Sequence, residues 1–242
     1  MSANGYIAFP VAPDLIVELD DGPPPVPPEL LPAIESAWVA AQDRAGGRLF
    51  NGKIFSVTEL TATHIRGHFT EYRFAVAGYR DATLAAQLRV RQLSVCGLLR
   101  LPEGIVFGLR SGRAAYEAGC WQMPPAGAMD PTALQGARVS FQAQAATELM
   151  EELGLGWERV TAFRPLTVVV HPHSNVHDLG VLIETDCSFA ELERIYRANG
   201  SDEYNELRLV PETELPRFLA EQGERVVPAA AWYLAASGMI DV

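Results

Sequence analysis

Apolar residues recur along this chain at two spacings, and the changes between them mark out its elements. Over residues 29–45 the apolar positions Leu30, Ile34, Ala37, Trp38 and Ala41 fall three or four apart. That spacing predicts a helix, which Gly46-Gly47 stops. Residues 49–68, with Ile54, Val57 and Leu60, read as two short strands around a turn. Residues 69–81 show no clear period. Residues 88–101 are strand-like, and Leu101-Pro-Glu-Gly104 is a turn joining them to a second strand over 105–109 as a hairpin. Residues 120–123 read as a short strand ended by Pro124-Pro125-Ala126-Gly127, and 128–139 as a loop. A helix is predicted over 141–153 with Gly154 as its C-terminal cap. Strands are predicted over 160–170 and 176–185, a helix over 188–198, a short strand over 207–210 and two closing helices over 212–221 and 228–237. Residues 1–28 end in Asp20-Asp-Gly-Pro-Pro-Pro-Val-Pro-Pro28, which reads as a stiff, extended linker. Mixed strands with one central helix and two C-terminal helices point to an α+β or α/β/α sandwich.

Composition narrows the function classes. The chain has 242 residues, 48% of them hydrophobic, enough for one large domain or a domain with an N-terminal extension. Its net charge of -11 and pI near 4.9 argue against a nucleic-acid backbone or an anionic membrane as the main partner. A phosphorylated small molecule stays open, because a metal ion can supply local positive charge. Cys96, Cys120 and Cys187 are scattered and form no CxxC, so neither a disulfide framework nor a thiolate zinc site is expected. Pro10, Pro13 and Asp14 interrupt the first residues, so no signal peptide is expected. No apolar run nears the ~20 residues that span a bilayer. A cytoplasmic location is the expectation.

The chemistry concentrates in Ala145-Ala-Thr-Glu-Leu-Met-Glu-Glu-Leu-Gly-Leu155. On a helix, Glu148, Glu151 and Glu152 share one face. Like charges so spaced destabilise a helix by roughly 0.2–0.5 kcal/mol per pair. Two readings are open: a solvated acidic face, or oxygen ligands for a hard divalent cation such as Mg²⁺. His171, His173 and His177 form an H-x-H-x3-H string, but it straddles a turn containing Pro172, Ser174 and Asn175. They read as polar residues at a strand end, lining a substrate cleft, rather than as a metal site.

The segment Thr147-Glu-Leu-Met-Glu-Glu-Leu-Gly-Leu155 resembles the core of the Nudix box, G-x5-E-x7-R-E-U-x-E-E-x-G-U, where U is a bulky aliphatic residue. Only the arginine is replaced, by Thr147. Upstream, Gly119-Cys-Trp-Gln-Met-Pro-Pro-Ala-Gly127 is similar to the G-x-W-x-x-P-G-G lead-in of many Nudix proteins. Val95-Cys-Gly-Leu-Leu-Arg-Leu101 and Gly104-Ile-Val-Phe-Gly-Leu-Arg-Ser111 are similar to the hairpin that opens that fold. The resemblance spans residues 88–210 in the expected order. It has two departures. With Gly127 as the box glycine, Glu148 follows 21 residues later where the pattern has 15, so the loop 130–140 is about six residues too long. The first box glutamate also has no counterpart: counting forward from Gly127 reaches Ala133, and counting back from Thr147 reaches Val139.

The resemblance implies a Nudix α/β/α sandwich with a mixed sheet over residues 88–242, preceded by an N-terminal extension or subdomain over 1–87. It implies a pyrophosphohydrolase that cleaves the diphosphate of a nucleoside diphosphate linked to another group. Glu148, Glu151 and Glu152 would be catalytic and, with the carbonyl of Ala126, would hold Mg²⁺ or Mn²⁺. A late-loop base is expected in Asp202-Glu-Tyr-Asn-Glu206, with Glu203 the candidate and Glu206 its neighbour. Arg73 and Arg110 are candidates to hold phosphate, and Tyr79, with Tyr72, to stack on a base. Leu49-Phe-Asn-Gly-Lys-Ile-Phe55, Thr70-Glu-Tyr-Arg-Phe74 and Gly78-Tyr-Arg-Asp81 resemble the N-terminal region of the UDP-sugar diphosphatase-like branch, which implies a nucleotide sugar such as UDP-glucose and a homodimer. The alternatives are ADP-ribose or a dinucleotide as substrate, or a Nudix-fold nucleotide-binding module that no longer hydrolyses.

Overall fold

The computed structural model describes residues 5–112 and 117–241. The first part of the chain holds β1 (Ile7–Pro10), β2 (Ile16–Leu19), α1 (Leu31–Arg44), the hairpin of β3 (Lys53–Leu60) and β4 (His64–Glu71), α2 (Tyr72–Gly78) and α3 (Ala82–Leu88). Next come β5 (Leu93–Leu101), β6 (Gly104–Arg110), β7 (Trp121–Gln122), β8 (Ala126–Ala128), β9 (Leu134–Gln135), β10 (Arg138–Val139) and the central helix α4 (Phe141–Leu153). The rest is β11 (Val160–Val170), β12 (His177–Thr185), α5 (Phe189–Asn199), β13 (Tyr204–Val210), α6 (Leu215–Gln222) and α7 (Ala229–Ala236).

The fold is the expected α+β sandwich. Its main sheet runs β1-β11-β12-β5-β6-β13, with β7 beside β6 and β8 beside β5. The β12–β5 pair is parallel and the other neighbours are antiparallel, so the sheet is mixed. Its two central strands are buried on both faces, which is why each reads as a nearly unbroken apolar run. Side chains alternate along β5: Val95, Leu99 and Leu101 enter one core, Cys96 and Leu98 the other. In β12, Leu179, Val181 and Ile183 join the first core and Leu182 the second. The first core is closed by Ala145, Leu149 and Leu153 of α4 and Leu192 of α5; the second by Leu215 and Phe218 of α6 and Ala229, Ala230, Tyr233 and Leu234 of α7.

A second sheet, β3-β4-β2-β10-β9, lies over the first core and contributes Phe55, Val57, Ile65 and Val17 to it. Chain segments cross the line expected at residue 88 in both directions. β1 pairs with β11 at the edge of the main sheet. β10 pairs with β2 through Arg138 opposite Glu18. Helices α1, α2 and α3 bury a smaller cluster of their own around Ile34, Phe74 and Leu84.

One local expectation is corrected and two stretches gain detail. Residues 20–27 run without regular structure, as the linker reading expected, and the paired strands β1 and β2 precede them. Residues 69–81, which show no clear period, hold the end of β4 and then α2. The loop 128–139 holds the end of β8, a 3-10 turn over Pro131–Ala133 and the β9–β10 hairpin. Two-residue strands are too short to show a period, so residue spacing could not reveal them.

Leu149 is fully buried between the two sheets, whereas Met150, one residue on, is half exposed. We expect Leu149→Ala to lower unfolding stability by roughly 2–5 kcal/mol in a urea titration. Met150→Ala should change it by less than about 0.5 kcal/mol. Equal losses from the two would contradict this packing.

Candidate active site

Helix α4 carries two stripes. Ser140 caps its start, with its Oγ accepting the Ala143 N–H at 3.1 Å. Gly154 ends it in the left-handed region at φ 71°, where a Cβ would be strained. Ala145, Leu149 and Leu153 fill the first core, and their neighbours Gln144, Glu148 and Glu152 form a polar stripe four residues apart. This stripe faces the backbone of β8 and the start of β13.

Glu152 is buried and accepts the Ala126 N–H at 3.1 and 3.3 Å on its two oxygens. It also accepts the Tyr204 hydroxyl at 2.9 Å. Glu148 accepts a 2.8 Å hydrogen bond from Gln144 Nε2, and Gln144 in turn accepts the Asp130 N–H at 3.1 Å. A Cβ on Gly127 would lie 1.9 Å from Glu148 Oε1, so only glycine lets β8 approach this carboxylate. Glu151 is on the solvent side of the helix. The expected common face is therefore graded: Glu152 deep, Glu148 intermediate, Glu151 at the surface.

Burial pushes the Glu148 carboxyl up to about 7; the Gln144 hydrogen bond opposes this, and the charges of Glu151, Asp130 and Glu203 add to it. Burial and the nearby charge of Glu148 push Glu152 up to about 8, against the hydrogen bonds from Tyr204 and Ala126. Both carboxylates are thus held where their negative charge is poorly compensated by the protein itself.

Glu148, Glu151 and Glu152 line one shallow cleft of ≈ 260 Å³ together with Ala126, Ser201 and Glu203. The structure therefore brings the expected acids, Ala126 and Glu203 together, while Glu206 is exposed on β13 and does not line this cleft. Glu203 pairs with Arg110 Nη2 at 3.1 Å, and Arg110 also donates to the Gln122 side chain. Arg110, Gln122 and Ala126 then line a second, adjoining cleft of ≈ 320 Å³ with Tyr72, Tyr79, Asp178 and Glu117. Ala126 is common to both clefts.

Tyr79 stands at the far side of the second cleft, its hydroxyl donating to Gln92 Oε1 at 2.6 Å. Arg73 lines neither cleft. Its guanidinium is paired with Glu71 at 2.8 Å and Glu35 at 3.5 Å, so its charge serves the contact of α1 with the end of β4. The histidine string splits up. His171 lines the second cleft and donates from Nε2 to Asp178 Oδ2 at 2.5 Å; His177 is buried with its Nδ1 2.9 Å from the Asn175 carbonyl; His173 is exposed. Burial disfavours the charged form of His171, but the hydrogen bond and charge of Asp178 outweigh it and raise its pKa.

Residue spacing missed Gln144, Tyr204, Gln122, Asp178 and Glu117. Gln144 had a signal, since it stands one helical repeat before Glu148. Tyr204 follows Glu203 directly, yet nothing in the sequence says that its hydroxyl crosses to α4. The positions reached by counting to the missing box glutamate, Ala133 and Val139, are both buried in the first core. Core packing thus occupies the places where the pattern would put a charge.

Among the described residues, no three His, Cys, Asp or Glu side chains are already gathered as a metal shell. The donor chemistry still fits a hard divalent cation. Among the described residues, four carboxylates and no basic side chain line the acidic cleft. Oxygen-only donors of this kind suit Mg²⁺ or Mn²⁺, and modest rotations of exposed Glu151 and half-exposed Glu203 would bring more oxygens in.

No family model matches the chain, and no curated protein matches it. Solved structures do. DR0079 of Deinococcus radiodurans is 14% identical and superposes with a TM-score of 0.50 over 78% of this chain and 99% of that one. A hydrolase of the NUDIX family from Clostridium perfringens is 14% identical, with a TM-score of 0.41 over 62% of this chain and 95% of that one. A bifunctional NMN adenylyltransferase/ADP ribose pyrophosphatase from Francisella tularensis is 18% identical, with a TM-score of 0.44 over 65% of this chain and 43% of that one. The likeness to DR0079 takes in nearly that whole chain and is a likeness of fold alone. No helix among the described residues is long and apolar enough to cross a membrane.

The raised carboxyls have a consequence for stability. Their folded pKa values, about 7 and about 8, lie above the ordinary value of 4.5, so the folded protein binds more protons than the unfolded chain between these limits. In metal-free buffer the stability they contribute is full below pH 4.5 and is lost as pH rises through 7 to 8. We expect a metal-free melting curve to fall over this window by an amount on the order of a few kcal/mol, and Glu152→Gln to flatten it. A melting temperature that rises from pH 5 to pH 8 would contradict the burial of these groups.

Proposed function

We propose that the protein is a divalent-cation-dependent pyrophosphohydrolase of the Nudix type, acting on a nucleoside diphosphate linked to another group. One observation carries this reading. The acidic cleft and the arginine-bearing cleft meet at Ala126, so a carboxylate cluster suited to Mg²⁺ or Mn²⁺ lies next to a phosphate-binding side chain and a pocket for the rest of a substrate.

Glu148, Glu151, Glu152 and the carbonyl of Ala126 would hold the cation. When bound, it supplies the positive charge that a diphosphate needs in an acidic protein and makes an attacking water more acidic. The chain's own groups do the rest. Tyr204 and the Ala126 N–H fix the Glu152 carboxylate in place. Gln144 aims Glu148. Arg110 orients the diphosphate by charge-assisted hydrogen bonds. Once Arg110 turns to the phosphate, Glu203 is released from its cationic partner and is placed to take the proton of the water. Tyr79 and Tyr72 supply faces for a base.

For the linked group, a nucleotide sugar such as UDP-glucose is the reading we favour over ADP-ribose or a dinucleotide. Asp178, Glu117, Gln92, Gln122 and Ser94 converge in the second cleft and offer acceptors for several hydroxyls.

The test is a panel of UDP-, ADP- and GDP-linked compounds with Mg²⁺ or Mn²⁺, following monophosphate release. We expect release from at least one, at a rate that Glu152→Gln lowers by roughly a hundredfold or more. Absence of release from every compound, with the wild type equal to Glu152→Gln, would leave a nucleotide-binding module instead. A rate lowered only by Arg110→Gln and not by Glu152→Gln would move the chemistry away from α4.

A further inference from the structure

One cavity, of ≈ 520 Å³, is not at the acidic cluster. It is lined by Arg44 at the end of α1, by Arg48, by Arg80 just after α2, and by the turn His171–Ser174. It opens onto the second cleft, with which it shares Tyr79, His171 and Ser174. Its composition is opposite to that of the protein. The chain has 30 acidic and 19 basic residues, yet among the described residues three arginines and no carboxylate line this chamber.

Several surface arginines elsewhere are tied to carboxylates, and others, such as Arg89 and Arg138, stand singly among the described residues. Arg66 pairs with Glu18, Arg100 with Glu184 and Glu212, Arg159 with Asp186, Arg197 with Glu193 and Arg217 with Glu221. Arg44 and Arg80 have no such partner among the described residues. The end of α1 accounts for Arg44 alone, because a cation is favourable at a helix C-terminus. Arg80 lies just past the end of α2, where the same effect applies, but neither helix end accounts for the two arginines sharing one concavity. Guanidiniums brought into one concavity repel each other unless an anion sits between them, and a phosphoryl group with its tetrahedral oxygens is what such a set binds best.

We propose that this chamber is a phosphoanion-binding site continuous with the substrate cleft, built to take a phosphoryl group that is not the one being cleaved. Arg44 at the end of α1 and Arg80 just past the end of α2 hold it, and Tyr79 lines both it and the cleft. The link to catalysis rests on the reading of the neighbouring clefts; the binding itself does not. The phosphoryl group has two possible sources: a further phosphate on the substrate, at the end remote from the acidic face, or a free phosphorylated ligand.

Inorganic pyrophosphate in metal-free, low-salt buffer is the first probe, since without metal the acidic cleft repels it. We expect calorimetric binding to the wild type and to Glu152→Gln, weakened tenfold or more in an Arg44→Gln/Arg80→Gln variant. Both arginines are exposed, so this variant should keep the melting temperature of the wild type. Arg110→Gln should retain most of the binding. No binding to the wild type, or equal binding to the wild type and the double variant, would overturn the site. The second probe is NAD⁺ against NADP⁺, diphosphates that differ by one phosphoryl group, measured on the non-cleaving Glu152→Gln protein. Tighter binding of NADP⁺, abolished by the double substitution, assigns the site to a substrate-borne phosphate. Equal binding of the two, with pyrophosphate binding intact, assigns it to a free phosphorylated ligand. If the wild type cleaves nothing, the proposed hydrolase fails while the pyrophosphate result stands on its own.

Discussion

The Glu152 carboxylate joins three parts of the fold that are far apart in sequence. It takes the Ala126 N–H from β8 and the Tyr204 hydroxyl from the start of β13, and so ties α4 to both. Removing one donor would leave a buried carboxylate short of a partner, which is costly because it has left water. Burial and the charge of Glu148, which these contacts offset only in part, push it up to about 8. The arrangement is stable as a protonated acid or as a carboxylate beside a cation, and poorly stable as a bare anion. A group with those properties at the meeting point of two clefts is a means of making cation binding and local order depend on each other.

The parts of the fold that were legible in the sequence are those with a sustained period. Helix α4 was found residue for residue, because its apolar stripe runs through thirteen residues between a serine cap and a glycine stop. β11 and β12 were clear for the related reason that long strands buried on both faces read as apolar runs. What stayed hidden was short or cross-chain. β1 and β2 have four residues each and gain their order from β11 and β4, partners more than forty residues away. At the site, the acidic triplet and Ala126 were legible through motif order. Its depth was not: the position of Tyr204 decides which glutamate is buried, and no spacing rule reports a contact between residues 152 and 204. The arginine chamber escaped for the same reason, since Arg44 and Arg80 meet only after α1 and α2 have packed.

The departures from the box pattern have a common physical origin in the segment between β8 and α4. The additional residues there form the β9–β10 hairpin, which extends the second sheet through Arg138 and Glu18. The hairpin needs apolar anchors, and Ala133 and Val139 provide them from inside the first core. A glutamate at either position would have to be buried beside Met129 and Phe55, without the partners that Glu152 has. The absent first box glutamate and the longer loop thus go together, since the hairpin replaces a charged turn with a packed one.

That change also couples the N-terminal sheet to the acidic helix. β10 ends at Val139, Ser140 caps α4, and Gln144 grips the Asp130 backbone while orienting Glu148. β2, β10 and the first turn of α4 thus form one run of contacts that ends at a carboxylate of the site. The α1–α2 pair that carries the chamber arginines belongs to the same N-terminal region. The acidic cleft, the second cleft and the basic chamber share lining residues in turn, so opposite charges stand at the two ends of one groove.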